Sequence, residues 1–551
     1  MNGTCHYAIE HWAPVGYSVR FECGWRRVSR RRLVREVPSG RRGNAARAAQ
    51  LAGGKVTMKY VFVFCALALV AAGTLTKLTE PDARSPVPVV YWATDPNPAR
   101  IEQIRLFHEW LVKNGYTTPE GKPAIELRLD TVNFDSSKLI VQGVSGVAAD
   151  IWDRGVPDLE NYSLLADITE DARRLGFDTS HTYPALADLL SVDGKQYGFP
   201  CNVYVVNFWG NADTFAKYKM KPPPRSWDIE TFERIGKEFV GKANPPGKRR
   251  TVFFTSAANA TLLRVLARSE GLDQFNETLT KCTLDDERFA RSLAMGYKWT
   301  YEDHILPSAA DESSFATQAG YGGTHLSLFQ QGNYGMIAIG RYMLIRLRDF
   351  ASPPRLFLSH LPYVEFENTF VGTRAAGIYA GSSRKKESAW FLAFLASKEY
   401  NDNIVADADS LPPDPAATTT EAFRHPPEHP NEWGTHEAAA RAAQTIAIVE
   451  SRSPFIEPSS VGRIVNVRIQ EVMTGRATPA QAAKDTAERI NEEIQRTLAE
   501  SPSLRARYEE LAALQEKIDQ YRREGKKVPL DWIKNPFYRR YYVHKGWAQE
   551  N

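Results

Sequence analysis

Cysteine is scarce in this chain. Five occur in 551 residues, and Cys5, Cys23 and Cys65 fall near the start. Only Cys201 and Cys282 remain for the body of the protein. Two cysteines cannot build a disulfide-stapled scaffold or a cysteine-rich zinc site. Isolated as they are, they read as buried thiols, although an oxidising compartment would allow them to pair. The signatures of common enzyme chemistry are also missing. No Walker A loop, HExxH, GxSxG or GxGxxG follows a suitable strand, so the usual phosphate-cradling, zinc-protease, serine-hydrolase and dinucleotide sites are not indicated. His108-Glu109 has no second histidine to complete a zinc helix. His425, His429, His436 and Glu437 are near one another in sequence, but their proline-rich setting fixes no ligand spacing, so neither metal nor cofactor is expected. Glycosidase chemistry would need paired carboxylates, and no pair has a spacing that calls for it.

Hydrophobic content of 43% and charged content of 24% are those of an ordinary soluble globular protein. The length suits two large lobes or several smaller domains. The net charge of +4 misleads. Residues 1–57 hold ten arginines and Lys55 against Glu10, Glu22 and Glu36, so the remainder is net acidic and nucleic acid is not an expected partner. Met58 opens MKYVFVFCALALVAAGTLT, in which Lys59 precedes an apolar core from Tyr60 to Ala72, with small residues at Ala71 and Gly73. Residues 58–75 thus read as an export signal or, if uncleaved, an N-terminal membrane anchor; the run falls short of the ~20 residues of a membrane span. Residues 1–57 are read as a disordered stretch ahead of the true start. The run Ser29-Arg30-Arg31-Arg32-Leu33-Val34-Arg35 looks like a twin-arginine signal, but more than twenty mostly polar residues separate it from the hydrophobic segment.

From Val87 onward strands and helices alternate. Val87–Trp92 is an apolar run with little alternation, as in a parallel strand covered on both faces. Asn97 and Pro98 suit a helix start, after which Ile101, Ile104, Leu111 and Phe107 or His108 share a face. Ile125, Leu127 and Leu129 mark a second strand, Ser136–Val147 a short helix, and Ala149–Trp152 a third strand. Repeats of this kind predict an open parallel sheet with ligand chemistry at the carboxyl ends of its strands. Residues 194–240 then carry two turn–strand–helix passages. Gly194, Gly198 and Pro200 break the chain, and Val203–Trp209 reads as one buried strand. Pro222–Pro224 fix a loop, and Ser226 or Asp228 caps a helix from near Ile229. Met336–Ile339 is a further strand, Ser383 or a neighbour caps a helix burying Trp390, Phe391, Phe394 and Leu395, and residues 408–431 form a long loop. Thr478 and Gln481 make a capping box, with Ala483, Ala487, Ile490, Ile494 and Leu498 on one face.

Five blocks in order carry a resemblance: GKQYGFPCNVYVVNFWGNADTFAKYKMKPPPRSWDIETF, FQQGNYGMIAIGR, FVGTRAAGIYAGSSRKKESAWFLAFLASKEYN, Leu411-Pro412, and MTGRATPAQAAKDTAERINEEIQR. They resemble the family 1 extracellular solute-binding proteins, over residues 87 to about 498. The resemblance implies an α/β protein of the two-lobed periplasmic binding protein type II fold, similar to the maltose-binding protein, each lobe a mostly parallel sheet flanked by helices. Residues 86–203 with 365–411 would form the N-terminal lobe, 204–364 with 412–500 the C-terminal lobe, and 501–551 a helical and aromatic extension. In that extension Trp532, Phe537, Tyr538, Tyr541, Tyr542 and Trp547 alternate with Arg539, Arg540 and Lys545. Such interleaving could suit nucleic acid, but a strap over a lobe is expected.

The resemblance further implies a periplasmic or otherwise extracytoplasmic receptor without a catalytic step, which captures a sugar or oligosaccharide and delivers it to the transmembrane subunits of an ABC permease. A monomer is expected, with membrane contact only through its signal or anchor. The alternatives are the same fold with a non-sugar solute and a carbohydrate-active hydrolase. Loops matching the family's ligand contacts carry Trp92, Thr94 and Asp95 after the first strand, Trp152, Asp153 and Arg154 after the third, Asn202 and Tyr204 at the crossing, Arg341 and Tyr342 in the second lobe, and Arg374 in the return strand. Plainer roles are open to several of them: core packing for Trp92, helix capping for Asp95, backbone bonding for Asn202, packing between lobes for Tyr342, surface ion pairing for Arg341 and Arg374. Asn202 and Tyr204 stand where many sugar binders carry an acid.

Overall fold

The structure is a computed structural model and describes residues 85–158, 162–247, 250–256, 259–314 and 323–549. The expected export signal at 58–75 and the segment 1–57 lie outside the described residues. Among the described residues no helix is long and apolar enough to cross a membrane.

Two sheets organise residues 85–549. The first contains β1 (Val89–Ala93), β2 (Glu126–Asp130), β3 (Ile151–Trp152) and β4 (Gly198–Val205). The second contains β5 (Asn207–Asn211), β6 (Val252–Ser256), β7 (Tyr334–Ile339) and β8 (Leu356–Ser359). β9 (Thr369–Ile378) and β10 (Ala447–Val449) return to the first. β1 lies between β2 and β3, parallel to both. β9 runs antiparallel to β3 and β4 and parallel to β10. In the second sheet the order is β8-β5-β7-β6, with β6 and β7 parallel. The chain passes between the sheets at three places: Val206 joins β4 to β5, residues 360–368 join β8 to β9, and residues 450–457 leave β10. The run expected as one buried strand is therefore two. Val203–Val205 pairs with β9, whereas Asn207–Trp209 pairs with β7 and β8.

Gly198 and Pro200 do not break the chain; both lie inside β4. Pro200 has no N–H for the ladder, and the β4–β9 register shifts beside it, between Arg374 and Ala375. Gly198 is required by space. A Cβ there would sit 2.2 Å from the Gly155 carbonyl oxygen.

Helix α1 (Ala99–Lys113) starts where Asn97 Oδ1 accepts from the Ala99 N–H at 3.0 Å. Its buried face is Arg100, Gln103, Phe107 and Leu111. Ile101, expected on that face, is 71% exposed. The helix is turned because Arg100 points into a buried acidic cluster. Helix α2 (Ile229–Ala243) is capped by Asp228, which accepts from Thr231 N–H at 2.7 Å. Helix α3 (Lys385–Leu395) covers the first sheet and buries Phe391, Phe394 and Leu395. Residues 408–431, expected as a long loop, instead fold into short helical turns at Pro415–Thr419, Glu421–Arg424 and Pro430–Glu432. Asp414 and Thr420 cap the first two, and Phe423 fills the centre.

Helices α4 (Pro458–Met473) and α5 (Pro479–Glu500) pack on the second-sheet side, α5 capped by Thr478 as its sequence predicts. Helices α6 (Pro502–Arg523) and α7 (Pro536–Lys545) make the extension. One core lies against each sheet, a third cluster contains residues of both sheets, and a fourth joins α7 to Phe366 and Ile448.

Candidate functional site

The carboxyl ends of β1 and β3 converge with the middle of β9. Two strand ends and one strand middle meeting here place Thr94, Asp95, Asp153 and Arg374 together. Arg374 pairs with Asp153 and donates to Thr94 Oγ1 at 3.1 Å. Thr94 donates its hydroxyl to the same Asp153 carboxylate, and the Trp92 indole N–H donates to its other oxygen at 2.7 Å. Arg100 pairs with Asp95 at 2.8 Å and with Asp409 at 3.2 Å. Asn202 Nδ2 donates to Asp409 Oδ1 at 3.0 Å. Two guanidinium groups and three carboxylates are thus interlocked, with most donors aimed at charged acceptors.

Asp95 is the member that faces outward, with its side chain 34% exposed. Burial pushes its carboxyl up, but Arg100 and Arg374 outweigh that and hold it below the usual range. Burial would lower the Arg374 guanidinium, but Asp153 prevails and raises it well above its ordinary value. For Asp407, behind Asp409, burial and the Asp409 charge outweigh the Asp409 N–H, Arg100 and Arg341, and the carboxyl is pushed up to about 6.

Asp409 sits between Ala408 (φ 61°) and Ser410 (φ 68°), both left-handed without being glycine. That backbone costs on the order of 1 kcal/mol per residue or more. The buried contacts of Asp409 over-determine it.

A second group lies where β4 gives way to the second sheet. Tyr204 is 38% exposed, and its ring lies over Gly372. The Gly340 position faces both the Tyr342 ring and the Tyr204 side chain, where a Cβ would meet them at 2.7 and 3.3 Å. Tyr342 is partly buried. Glu450 pairs with Arg264 nearby. Burial raises the Tyr204 phenol, and the Glu450 charge adds to this. Tyr204 and Tyr342 therefore approach each other from the two sheets, at the seam.

Three expected ligand residues are buried. Trp152 is fully buried and stacks on Tyr379, centroids 5.4 Å apart, with its N–H on the Ala149 carbonyl at 2.8 Å. Trp92 is fully buried against Phe391 at 4.7 Å. Arg341 is 2% exposed. Its Nε donates to His436 Nδ1 at 3.1 Å, its Nη1 donates to the Ser410 carbonyl, and Phe423 lies 4.9 Å under its guanidinium. Burial and Arg348 pull Arg341 down to about 10. The other side of His436 faces Glu432 at 3.2 Å. Burial and Arg341 lower this histidine to about 4. The imidazole is thus neutral, accepting at Nδ1 and carrying its proton on Nε2. Arg154 lies at the rim beside Asp158, 3.5 Å away.

Arg100, Asp409, Glu450 and Arg264 were not among the sequence candidates. Arg100 had a signal: it shares a helical face with Gln103, Phe107 and Leu111, and an arginine on an apolar face implies a buried partner. Asp409 had none, because its partner is brought from the other end of the chain.

Comparison with known proteins places this architecture. The family described as bacterial extracellular solute-binding protein matches residues 121–431. The chain belongs to that family. As a solute-binding protein it also has similar solved structures. An ABC substrate-binding protein of Listeria monocytogenes, in complex with cycloalternan, is 20% identical, with a TM-score of 0.61, 74% of this chain and 98% of that one covered. The acarbose-binding GacH receptor of Streptomyces glaucescens is 16% identical, with a TM-score of 0.58 and coverages of 75% and 99%. A solute-binding protein of Agrobacterium vitis with bound D-mannitol is 16% identical, with a TM-score of 0.57 and coverages of 74% and 99%. The shared fold is the two-lobed, maltose-binding-protein-like one. This solute-binding protein has in addition a helical C-terminal extension.

Proposed function

We propose that this solute-binding protein captures a carbohydrate between its lobes, outside the cytoplasm, and hands it unchanged to the permease of an ABC importer. The observation that carries this reading is the pair Tyr204 and Tyr342, which meet from the two sheets at the seam, together with the partly exposed Asp95 carboxylate of the first-sheet cluster. A sugar presents C–H faces to aromatic rings and hydroxyls to planar carboxylates and guanidinium groups. Asp95, Asp153, Arg154, Asn202, Thr94 and Arg374 would supply the polar wall, Tyr204 and Tyr342 the seam. The Arg100 and Arg374 pairs hold Asp95 and Asp153 in place, so little ordering remains to be done on binding. The neighbours of like fold that hold cycloalternan, acarbose and mannitol support the same ligand class. Contacts from both lobes would form together only on closure, which lets the ligand be held and then released. Monomeric action and an N-terminal tether are part of this proposal.

Isothermal titration of the purified protein against monosaccharides, polyols and oligosaccharides tests it. One saccharide should bind with 1:1 stoichiometry and be recovered intact. Silence from every saccharide, with binding of a non-sugar solute, would overturn the carbohydrate reading.

A further inference from the structure

The C-terminal extension is fixed on one side and reaches to the other. Its fixing point is the segment after the helix Asn259–Ser269, on the second-sheet side. The Lys534 and Asn535 N–H groups donate to the Glu277 carbonyl at 2.8 and 2.9 Å. The Glu277 carboxylate accepts from Tyr542 at 2.6 Å, Gln515 at 2.9 Å and Arg522 at 3.0 Å. Asn535 also donates to Asp273 at 2.8 Å, and Tyr508 packs on Phe455, centroids 5.2 Å apart. Glu277 and Asn535 are buried.

From this base the extension touches the passages between the lobes. Phe366, in the 360–368 passage, packs on Phe537 and Tyr541 at 6.0 and 5.5 Å. Ile448 of β10 joins the same cluster. Arg540 donates to the Ala447 carbonyl at 3.0 Å, and Lys545 pairs with Glu365 at 2.8 Å. Beyond them it reaches the segment that leads into β4 of the first sheet. Arg539 pairs with Asp188, and Arg507 with Asp193 at 3.1 Å. Asp193 is held out in the turn of the small Ser191–Gln196 hairpin. Between these outer contacts and the base lies a cavity of about 500 Å³, lined by Tyr183, Asp188, Val449, Pro536 and Arg540 among others.

The two ends of this bridge are therefore built differently. The second-sheet end is buried and densely bonded. On the first-sheet side it packs on Ile448 and bonds Ala447 of β10, next to the passages, but its outermost contacts, beyond the cavity, are two largely exposed ion pairs. Exposed pairs shift an equilibrium by no more than about fivefold each and weaken with salt. They suit a contact that opens and remakes, not a permanent weld.

We propose that residues 501–549 act as a clasp, setting the angle between the lobes by a releasable ionic contact with Asp188 and Asp193. The proposal rests on the two-lobed fold and is independent of what the ligand is.

The test uses the full chain without ligand, with spin labels introduced as noncanonical residues at Val144 and Glu230, both exposed and on opposite sides of the seam. The interlobe distance distribution is read in wild type, in Arg507→Glu/Arg539→Glu, and in that variant combined with Asp188→Arg/Asp193→Arg. The double variant should broaden or shift the distribution, and the charge-swapped fourfold variant should restore it. Wild type should broaden likewise between roughly 0.02 and 1 M salt, while the fourfold variant keeps the same salt response. Wild-type distributions in the double variant, or no restoration in the fourfold one, would overturn the clasp. Far-ultraviolet circular dichroism checks that each variant is folded.

Discussion

Asp409 binds Arg100 across 309 positions of sequence, with one carboxylate oxygen 3.2 Å from both Nη atoms. The same carboxylate faces Arg374 at 3.6 Å and accepts from Asn202. Asp409→Ala would leave two buried guanidinium groups short of charge. Breaking a buried pair by removing one partner costs about 3–5 kcal/mol. The variant should lose stability of that order in urea unfolding and bind its ligand more weakly. Asp409→Asn should fall between it and wild type. If Asp409→Ala is as stable as wild type, the network does not organise this wall.

Tyr204 and Tyr342 make the opposite case. Both are partly open to solvent, and neither is central to a core. Tyr204→Ala and Tyr342→Ala should each weaken binding by about tenfold or more, since a base or sugar face stacked on an aromatic ring contributes on the order of 1–3 kcal/mol. Melting temperatures should change little. The single-site Phe variants should keep most of the affinity if stacking dominates, and lose it if the hydroxyls do.

Acid should loosen the Arg341–His436–Glu432 stack. An unfolded histidine titrates near 6.5, whereas His436 in place titrates at about 4. Between those values the unfolded chain binds more protons, so stability falls as pH drops from about 6.5 towards 4. Glu432, held to about 2 against burial by His436 and Arg348, extends the loss below the ordinary glutamate range. His436→Gln should flatten the upper part of that fall, an effect on the order of 2–3 kcal/mol. Unfolding free energies from pH 4 to 8 would show it.

Asp407 works in the other direction. Its carboxyl is raised to about 6 in the folded chain, and one of its oxygens is buried without a hydrogen-bond partner. The folded state binds the extra proton between about 4 and 6, so this contribution is present at low pH and is lost as pH rises through 6. Asp407→Asn keeps an acceptor for the Asp409 N–H. It should therefore raise stability at pH 8 relative to wild type by more than it does at pH 4. An equal effect at both would contradict the raised carboxyl.

Backbone contact sets a further limit. Gly155, Gly198 and Gly377 lie against one another, and a Cβ on Gly198 or Gly377 would come within 2.2 or 2.6 Å of Gly155 backbone atoms. Backbone cannot yield as a flexible side chain does. Gly198→Ala should cost several kcal/mol, comparable to overpacking of a core, and lower the midpoint of thermal unfolding. Gly194→Ala is the control: its position is open, and only its left-handed backbone (φ 76°) opposes the change.

The alternation of strand and helix, the caps at Asp228 and Thr478, and the apolar face of α5 were legible because each depends on neighbours a few residues away. The chain's crossing near Asn202 was legible through its motif, but not the split of Val203–Trp209 between two sheets, since one apolar run satisfies either. The site was less legible. Asp95, Asp153, Asn202 and Arg374 do converge, but on one another as much as on a cleft. The burial of Arg341 was not legible because its partners, His436 and the Ser410 carbonyl, come from a segment that looked like loop. Ile101 was misplaced because Arg100 pays its burial with Asp95 and Asp409, a long-range gain that outweighs a local apolar pattern.

β4, β9 and β10 cross side by side, and Val206 N–H donates to the Phe370 carbonyl at 3.1 Å within that crossing. Three tethers abreast behave like the leaves of a door hinge. They leave one soft swing about the line that runs across them, whereas torsion or sliding would shear the ladder. The proposed closure would thus have a direction built in before any solute arrives, and the work of capture would go into choosing a point along one coordinate rather than searching among many.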